Sequence, residues 1–289
     1  MKKLWCVCLL GFLLLFPACA AMDIAGQSQE NKFVLLASTI GPIDAGIVGA
    51  LEEAFEKETG IRVRHVGAGT GAALKMAEGG QFDMVLAHAK VLEEKFVKDG
   101  FGTQRVPLMY NDFVIVGPSA DPAKIKGMKT AAETLRTIAA KKVKFISRGD
   151  KSGTHVAEMD LWAKAGIKPA GAWYVVYEKG STGNVPTLKY TNEQQAYTVI
   201  DRATHLSIRN QIKVGILVEN DEAMLNFMSL IPVNEKKFPR ANRAAAMQFV
   251  EWMTAPEKGQ TIIRDFGKDK YGAALFFPNS DAWRKSQGK

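Results

Sequence analysis

Apolar and polar positions fall into blocks along the chain, and the block lengths predict its elements. Leu4 to Phe16 is an unbroken apolar run of 13 residues between Met1-Lys2-Lys3 and Pro17, followed by Ala18-Cys19-Ala20-Ala21. It is too short for a membrane-spanning helix, which needs roughly 20 residues, and it lacks the polar face of a core helix. A basic start, an apolar middle and small residues at the end read as an export signal over residues 1–21. From Phe33 the pattern changes. Phe33-Val34-Leu35-Leu36-Ala37 reads as a buried strand, and Asp44 as the cap of a helix with Ile47, Leu51 and Phe55 on one stripe and Gly60 past its end. Ile61 to Val66 alternates as a second strand. A short helix follows Gly71 through Leu74 and Met76, then a strand at Met84–Ala87 and a helix over 90–98.

Tyr110 to Gly117 reads as a longer strand, and after Pro118 a second set of units begins. Its expected elements are helix 131–141, strand 144–147, helix 153–165, strand 173–177, helix 192–202 and strand 214–218. Thr191-Asn192-Glu193-Gln194 would be a capping box for the helix over 192–202. A strand at Leu230–Val233 returns the chain to the first set, which helices 243–254 and 256–266 close. Repeated strand–helix–strand order predicts an α/β protein whose sheets are mostly parallel and covered by helices. Length and order together predict two lobes joined by two crossings. Residues 33–117 plus 230–289 would form lobe 1 and 118–229 lobe 2, with the hinge near 116–120 and 227–233.

Composition narrows the setting. All three cysteines, Cys6, Cys8 and Cys19, lie within the signal segment, so the rest of the chain can form no disulfide and has no thiol nucleophile. An exported, periplasmic protein is expected, with a lipid anchor at Cys19 as the alternative. The net charge of +8 becomes +6 once Lys2 and Lys3 leave with the signal, a surplus that suits an anionic small partner. No basic run interleaved with aromatics appears, so no nucleic-acid partner is expected.

Three segments share one form, a strand, a loop of glycines and hydroxyls, and a helix start: Ser38-Thr39-Ile40-Gly41, Gly69-Thr70-Gly71, and Ser147-Arg148-Gly149-Asp150-Lys151-Ser152-Gly153-Thr154-His155. Free N–H groups, hydroxyls and the helix dipole at such a place favour an anion. In open α/β sheets, loops at the carboxyl ends of strands are where ligands bind. Each loop alone is better explained by helix capping; three from both lobes point to a site. Arg148 would neutralise a tetrahedral dianion through several donors in fixed directions. Asp150 would orient Arg148 or brace the turn. Gly67-Ala68-Gly69-Thr70-Gly71-Ala72 departs from the dinucleotide fingerprint, which needs a third glycine at Ala72. His65, His88, His155 and His205 show no metal-ligand spacing, and Ser152 with His155 lacks the G-x-S-x-G context of a nucleophile. Neither a metal, a cofactor nor a catalytic set is expected; an envelope hydrolase is the remote alternative.

Ser147 to His155 followed by Leu161-Trp162 resembles the S-R-G-D-x-S-G-T-H…L-W segment of bacterial tungstate-binding proteins of ABC transporters. Met109-Tyr110-Asn111-Asp112-Phe113-Val114-Ile115-Val116-Gly117-Pro118 is similar to the same family. So are Gly69-Thr70-Gly71-Ala72-Ala73-Leu74, Ala196-Tyr197…Asp201-Arg202, and Asp265-Phe266-Gly267…Tyr271-Gly272…Leu275-Phe276-Phe277-Pro278. The resemblance implies a type II periplasmic-binding-protein fold, a monomer, an importer permease as partner, and tungstate or a related oxyanion such as molybdate as ligand. It implies ligand contacts at Ser38, Thr39, Thr70, Arg148, Ser152, Gly153 and Thr154, with Gly41, Gly71 and Asp150 beside them. Two loops depart from the family. The T-T-T-S loop reads Ser38-Thr39-Ile40-Gly41 here, and the G-x-G-M-G-x-T-L loop reads Gly180-Ser181-Thr182-Gly183-Asn184-Val185-Pro186-Thr187-Leu188. Because R-x-D-x-S-G-T also resembles phosphate-binding proteins, a phosphate receptor stays open beside the main reading, as does an oxyanion sensor.

Overall fold

A computed structural model describes residues 32–288; the expected signal over 1–21, with Cys19, lies outside the described residues. Three strands of the first lobe run side by side and parallel. β1 (Phe33–Thr39) lies between β2 (Arg62–Ala68) and β3 (Met84–Ala87), with Leu36 opposite both His65 and Met84. Next to β3, antiparallel, runs β9 (Leu225–Pro232), and next to β9 runs β4 (Val106–Gly117), edged by the short β10 (Phe277–Pro278). The second lobe repeats the order. β5 (Phe145–Ser147) is parallel to β6 (Tyr174–Val176) on one side and bridges at Phe145–Tyr197 to the start of β7 (Thr198–Asp201) on the other. β7 then pairs antiparallel with β4, and β4 with β8 (Gly215–Val218). The outcome is the expected two-lobed α/β fold. Its sheets are mixed rather than mostly parallel, because β9 runs against β3 and β4 in the first lobe and β4 runs against β7 and β8 in the second.

β4 itself belongs to both sheets. From Val106 to Asp112 it pairs with β9, and from Phe113 to Gly117 with β7 and β8. Period-two alternation explains how a strand buried on both faces serves two layers. Phe113 and Ile115 enter one core of the second lobe, with Leu135, Phe145, Trp162 and Tyr197. Val114 and Val116 enter the other, with Leu188, Ile200 and Val214. In the first lobe Val34, Leu36, Met84 and Leu86 pack against Leu51, Phe55, Phe249 and Ile263, while Ala37, Val85 and Ala87 meet Leu74, Phe82 and Phe96 on the opposite face.

The covering helices are α1 (Ile40–Ala45), α2 (Ile47–Thr59), α3 (Thr70–Ala77) and α4 (Lys90–Lys98) after the first three strands, then α5 (Ala131–Lys141), α6 (Gly153–Lys164), α7 (Asn184–Glu193) and α8 (Arg202–Ile208). The chain ends with α9 (Arg243–Thr254), α10 (Gly259–Asp265), α11 (Lys268–Tyr271) and α12 (Asp281–Ser286). Three expectations need correction. Asp44 lies within α1 and caps nothing; Gly46, at φ 89°, opens α2. The helix expected over 256–266 is shortened to 259–265 by a turn at Pro256-Glu257-Lys258. The helix expected over 192–202 is absent. Thr191 sits inside α7, its hydroxyl donating to Thr187 O at 2.9 Å, and Gln195 turns the chain at φ 46°. Thr198-Val199-Ile200 is a β-branched run that enters the sheet, as such residues prefer. The cap belongs to Asp201, which accepts from Thr204 N at 2.8 Å and starts α8.

Candidate anion-binding site

The carboxyl ends of β1, β2 and β3 lie in one row, because Ser38 pairs with Gly67 and with Leu86, and Thr39 with Ala68. Ser38 is buried and turns its hydroxyl back onto Thr39 O at 3.0 Å. Thr39 occupies the N-cap position of α1 but makes no capping bond. Its Oγ1 instead accepts a long bond from Thr70 Oγ1, at 3.4 Å. Thr70 and Gly71 open α3, so their N–H groups have no carbonyl within the helix. Gly41 is exposed in the first turn of α1, which here replaces a hydroxyl-bearing loop.

In the second lobe the corresponding place is the loop after β5. Arg148 is held on three sides. Nε donates to Gly180 O (3.0 Å), Nη1 to Asn184 Oδ1 (2.5 Å), and Nη2 pairs with Asp150 Oδ2 (2.9 Å). Asp150 also braces the turn, Oδ1 accepting from Ser152 N at 3.1 Å. The two roles expected of Asp150 are thus compatible in one geometry. Ser152 is the N-cap of α6, accepting a long bond from His155 N (3.4 Å). Gly153 and Thr154, the first two helical residues, leave their N–H groups unpaired within the helix. The Thr154 side chain is nearly buried, and no protein group among the described residues pairs with its hydroxyl. His155 Nδ1 accepts from Lys151 N (2.9 Å), which makes it part of the turn and not a base for Ser152.

Beneath this loop lies a buried carboxyl. Glu158 accepts from Ser147 Oγ (2.8 Å), Tyr174 OH (2.7 Å) and Trp162 Nε1 (3.2 Å). Burial outweighs these donors and pushes its pKa up to about 7. Tyr174 is therefore committed to the floor of the site, stacked on Phe145 with ring centroids 5.9 Å apart.

Two contributors escaped the sequence patterns. Asn184 comes from the altered loop over 180–188; besides holding Arg148, its Nδ2 donates to Asp201 Oδ2 at 2.7 Å. Gly180 in the same loop packs so tightly that a methyl group there would run into the Arg148 carbonyl. A glycine at 180 and an amide at 184 could have been suspected only from the strand–loop–helix form that the other three loops share. The second contributor is His88, just past β3. A methyl group on Gly153 would lie 2.9 Å from its Cε1, so the first lobe touches the start of α6 at this point. His88 Nδ1 is 2.9 Å from Asn226 Oδ1, and Asn226 Nδ2 donates to Asn111 Oδ1 at 2.8 Å. Burial pushes the His88 pKa down, against the effect of its bond to Asn226.

Residues 26–257 match the model of a family described as a PBP superfamily domain. The tungstate-binding protein TupA of Peptoclostridium acidaminophilum is 43% identical over 256 residues, spanning 88% of this chain and 88% of that protein. TupA of Campylobacter jejuni is 36% identical over 228 residues, covering 77% and 83%. Among solved structures, the tungstate-binding protein TupA of Desulfovibrio alaskensis superposes with a TM-score of 0.79 at 42% identity, covering 86% of this chain and 99% of that one. The structure of the tungstate ABC transporter from Geobacter sulfurreducens gives 0.71 at 43% identity, covering 81% and 99%. With two lobes of like strand order and the cluster around Arg148 at the start of α6, the chain belongs to the PBP superfamily and, within it, to the family of the tungstate-binding proteins.

Proposed function

We propose that this chain is a solute-binding protein that captures a tetrahedral oxyanion, tungstate foremost and molybdate beside it, between its lobes and delivers it to an ABC importer. One observation carries the reading. A guanidinium fixed by three partners stands beside a helix start whose first N–H groups have no carbonyl within the helix and beside the hydroxyl of the nearly buried Thr154, which no group among the described residues pairs. Such a constellation suits a compact dianion, since the donors are arranged before it arrives. The names of the relatives support the choice of tungstate. In this reading Arg148, Ser152, Gly153 and Thr154 bind from one lobe and Ser38, Thr39, Thr70, Gly41 and Gly71 from the other. Asp150 acts by holding Arg148. Both Asp150 oxygens already have partners, which favours a fully ionised oxyanion over hydrogen phosphate, whose proton needs an acceptor. In the same reading the lobe limits fall at 112/113 and 224/225, earlier than 117/118 and 229/230, which the partner changes along β4 support. The protein works as a monomer in the periplasm and is a receptor, not an enzyme.

The test is calorimetric titration of the purified protein lacking residues 1–21 with tungstate, molybdate, sulfate and phosphate. Tungstate and molybdate should bind far more tightly than the other two, and Arg148→Ala should remove the heat. Tight binding of phosphate alone would replace tungstate by phosphate, and no binding of any of the four would end the reading.

A further inference from the structure

His88 has a place in the site that no capping or packing role explains. β3 ends at Ala87, beside the end of β1, so His88 stands in the same row as Thr39 and Thr70. From there its ring crosses to the other lobe, with Nε2 3.4 Å and Cε1 2.9 Å from where a side chain on Gly153 would begin. Nδ1 is tied to Asn226, and no protein group among the described residues pairs with Nε2. The one free polar atom of this partly buried ring therefore faces the start of α6.

Resting on the oxyanion reading above, we propose that His88 is a binding residue that donates from Nε2 to the captured anion, with Asn226 and Asn111 as positioning residues that fix its ring. Asn111 and Asn226 are opposite one another on β4 and β9, one step from where β4 changes sheets. Each amide carries a donor and an acceptor. In the arrangement seen, Asn226 Oδ1 accepts, so Nδ1 bears the proton and Nε2 its lone pair. If both amides turn over, Asn111 donates to Asn226 and Asn226 donates to Nδ1. The ring proton then resides on Nε2, and the hydrogen bond between the two asparagines is kept. The exchange moves one proton between the ring nitrogens through solvent and leaves the ring neutral, in keeping with the effect of burial on it. A lone pair at Nε2 would repel an anion, and an N–H there would bind it. The ligand thus selects the tautomer, and the selection is registered in side chains at the crossing between lobes.

The experiment combines affinity with nitrogen NMR, using sodium tungstate. His88→Ala should weaken tungstate binding by about tenfold or more, the loss expected for a hydrogen bond to a charged group. His88→Gln, which keeps a side-chain donor, should recover part of it. In the wild-type protein, 15N shifts assigned with the His88→Gln variant should show Nδ1–H without tungstate and Nε2–H with it. Unchanged affinity in both variants, or Nδ1–H persisting at saturation with Nε2 unshifted, would overturn the role of His88 while leaving the oxyanion reading intact. Failure of the wild-type protein itself to bind tungstate would overturn both. The NMR comparison stands even if His88→Ala does not fold.

Discussion

At the scale of single residues, Arg148 retains donors for a ligand after Gly180, Asn184 and Asp150 have each taken one. Its aim depends on those partners, so Asn184→Ala should weaken anion affinity by about tenfold while costing little stability. Titration calorimetry of the variant beside the parent checks this. Glu158 gives a prediction of a different kind. With its pKa raised to about 7, it keeps its proton in the folded state where the unfolded chain, at the ordinary glutamate value near 4.5, has lost it. Its favourable contribution is present below about 4.5 and is lost as pH rises through 7, up to about 3 kcal/mol in all. Glu158→Gln should flatten the fall in stability between pH 5 and pH 8, measured by urea unfolding at each pH. Arg148 was legible because loop chemistry and family resemblance coincide on it. Asn184 and His88 were not, since each acquires meaning from a partner distant in sequence, 36 residues away for Asn184 and 138 for His88.

At the scale of elements, the proposed site is a set of helix starts held at strand ends, and its precision would come from how closely the loops pack. Gly180→Ala tests this, because the added methyl group meets the Arg148 backbone. The loop would have to move, carrying away both the Gly180 carbonyl and Asn184, so the variant should lose most of its tungstate response. A thermal melt with and without tungstate reads both effects, the ligand-induced rise shrinking more than the apo midpoint falls. The helix over 131–141 could be read correctly because Ala131, Leu135 and Ile138 form a one-sided apolar stripe along it. The stretch from Thr191 to Asp201 misled because Thr191-Asn192-Glu193-Gln194 has the composition of a helix start while being the end of α7. What decided it was pairing of Val199 and Ile200 with β4, a tertiary contact that local pattern does not contain.

For the molecule as a whole, the crossing is guarded by an ion pair. Arg202 Nε approaches both Asp112 oxygens at 2.9 and 3.0 Å, and Nη1 reaches Glu219 at 2.7 Å. Asp112 is 5% exposed and stands at the last residue of β4 paired to β9. Removing its charge leaves Arg202 partly buried with only Glu219 as counter-ion. Asp112→Asn should therefore cost about 3 kcal/mol, toward the low end for a broken buried pair, as chemical unfolding would measure. Two lobes and two crossings were visible in the order of strands. The limits proposed above differ from those expected, because β4 continues unbroken from Val106 to Gly117 and nothing in its apolar run marks the exchange of neighbours. That continuity has a thermodynamic corollary. Fixing the backbone of one residue costs about 1–2 kcal/mol in lost entropy, and a pair of slack linkers would exact this from every capture event. Here Asn111 and Asp112 are already paired with Asn226 and Leu225, so little chain disorder remains to be lost when the lobes come together. The dissociation constant should accordingly lose little to ordering of the crossing and be set by how well the donors around Arg148 match the anion that enters and replace its water.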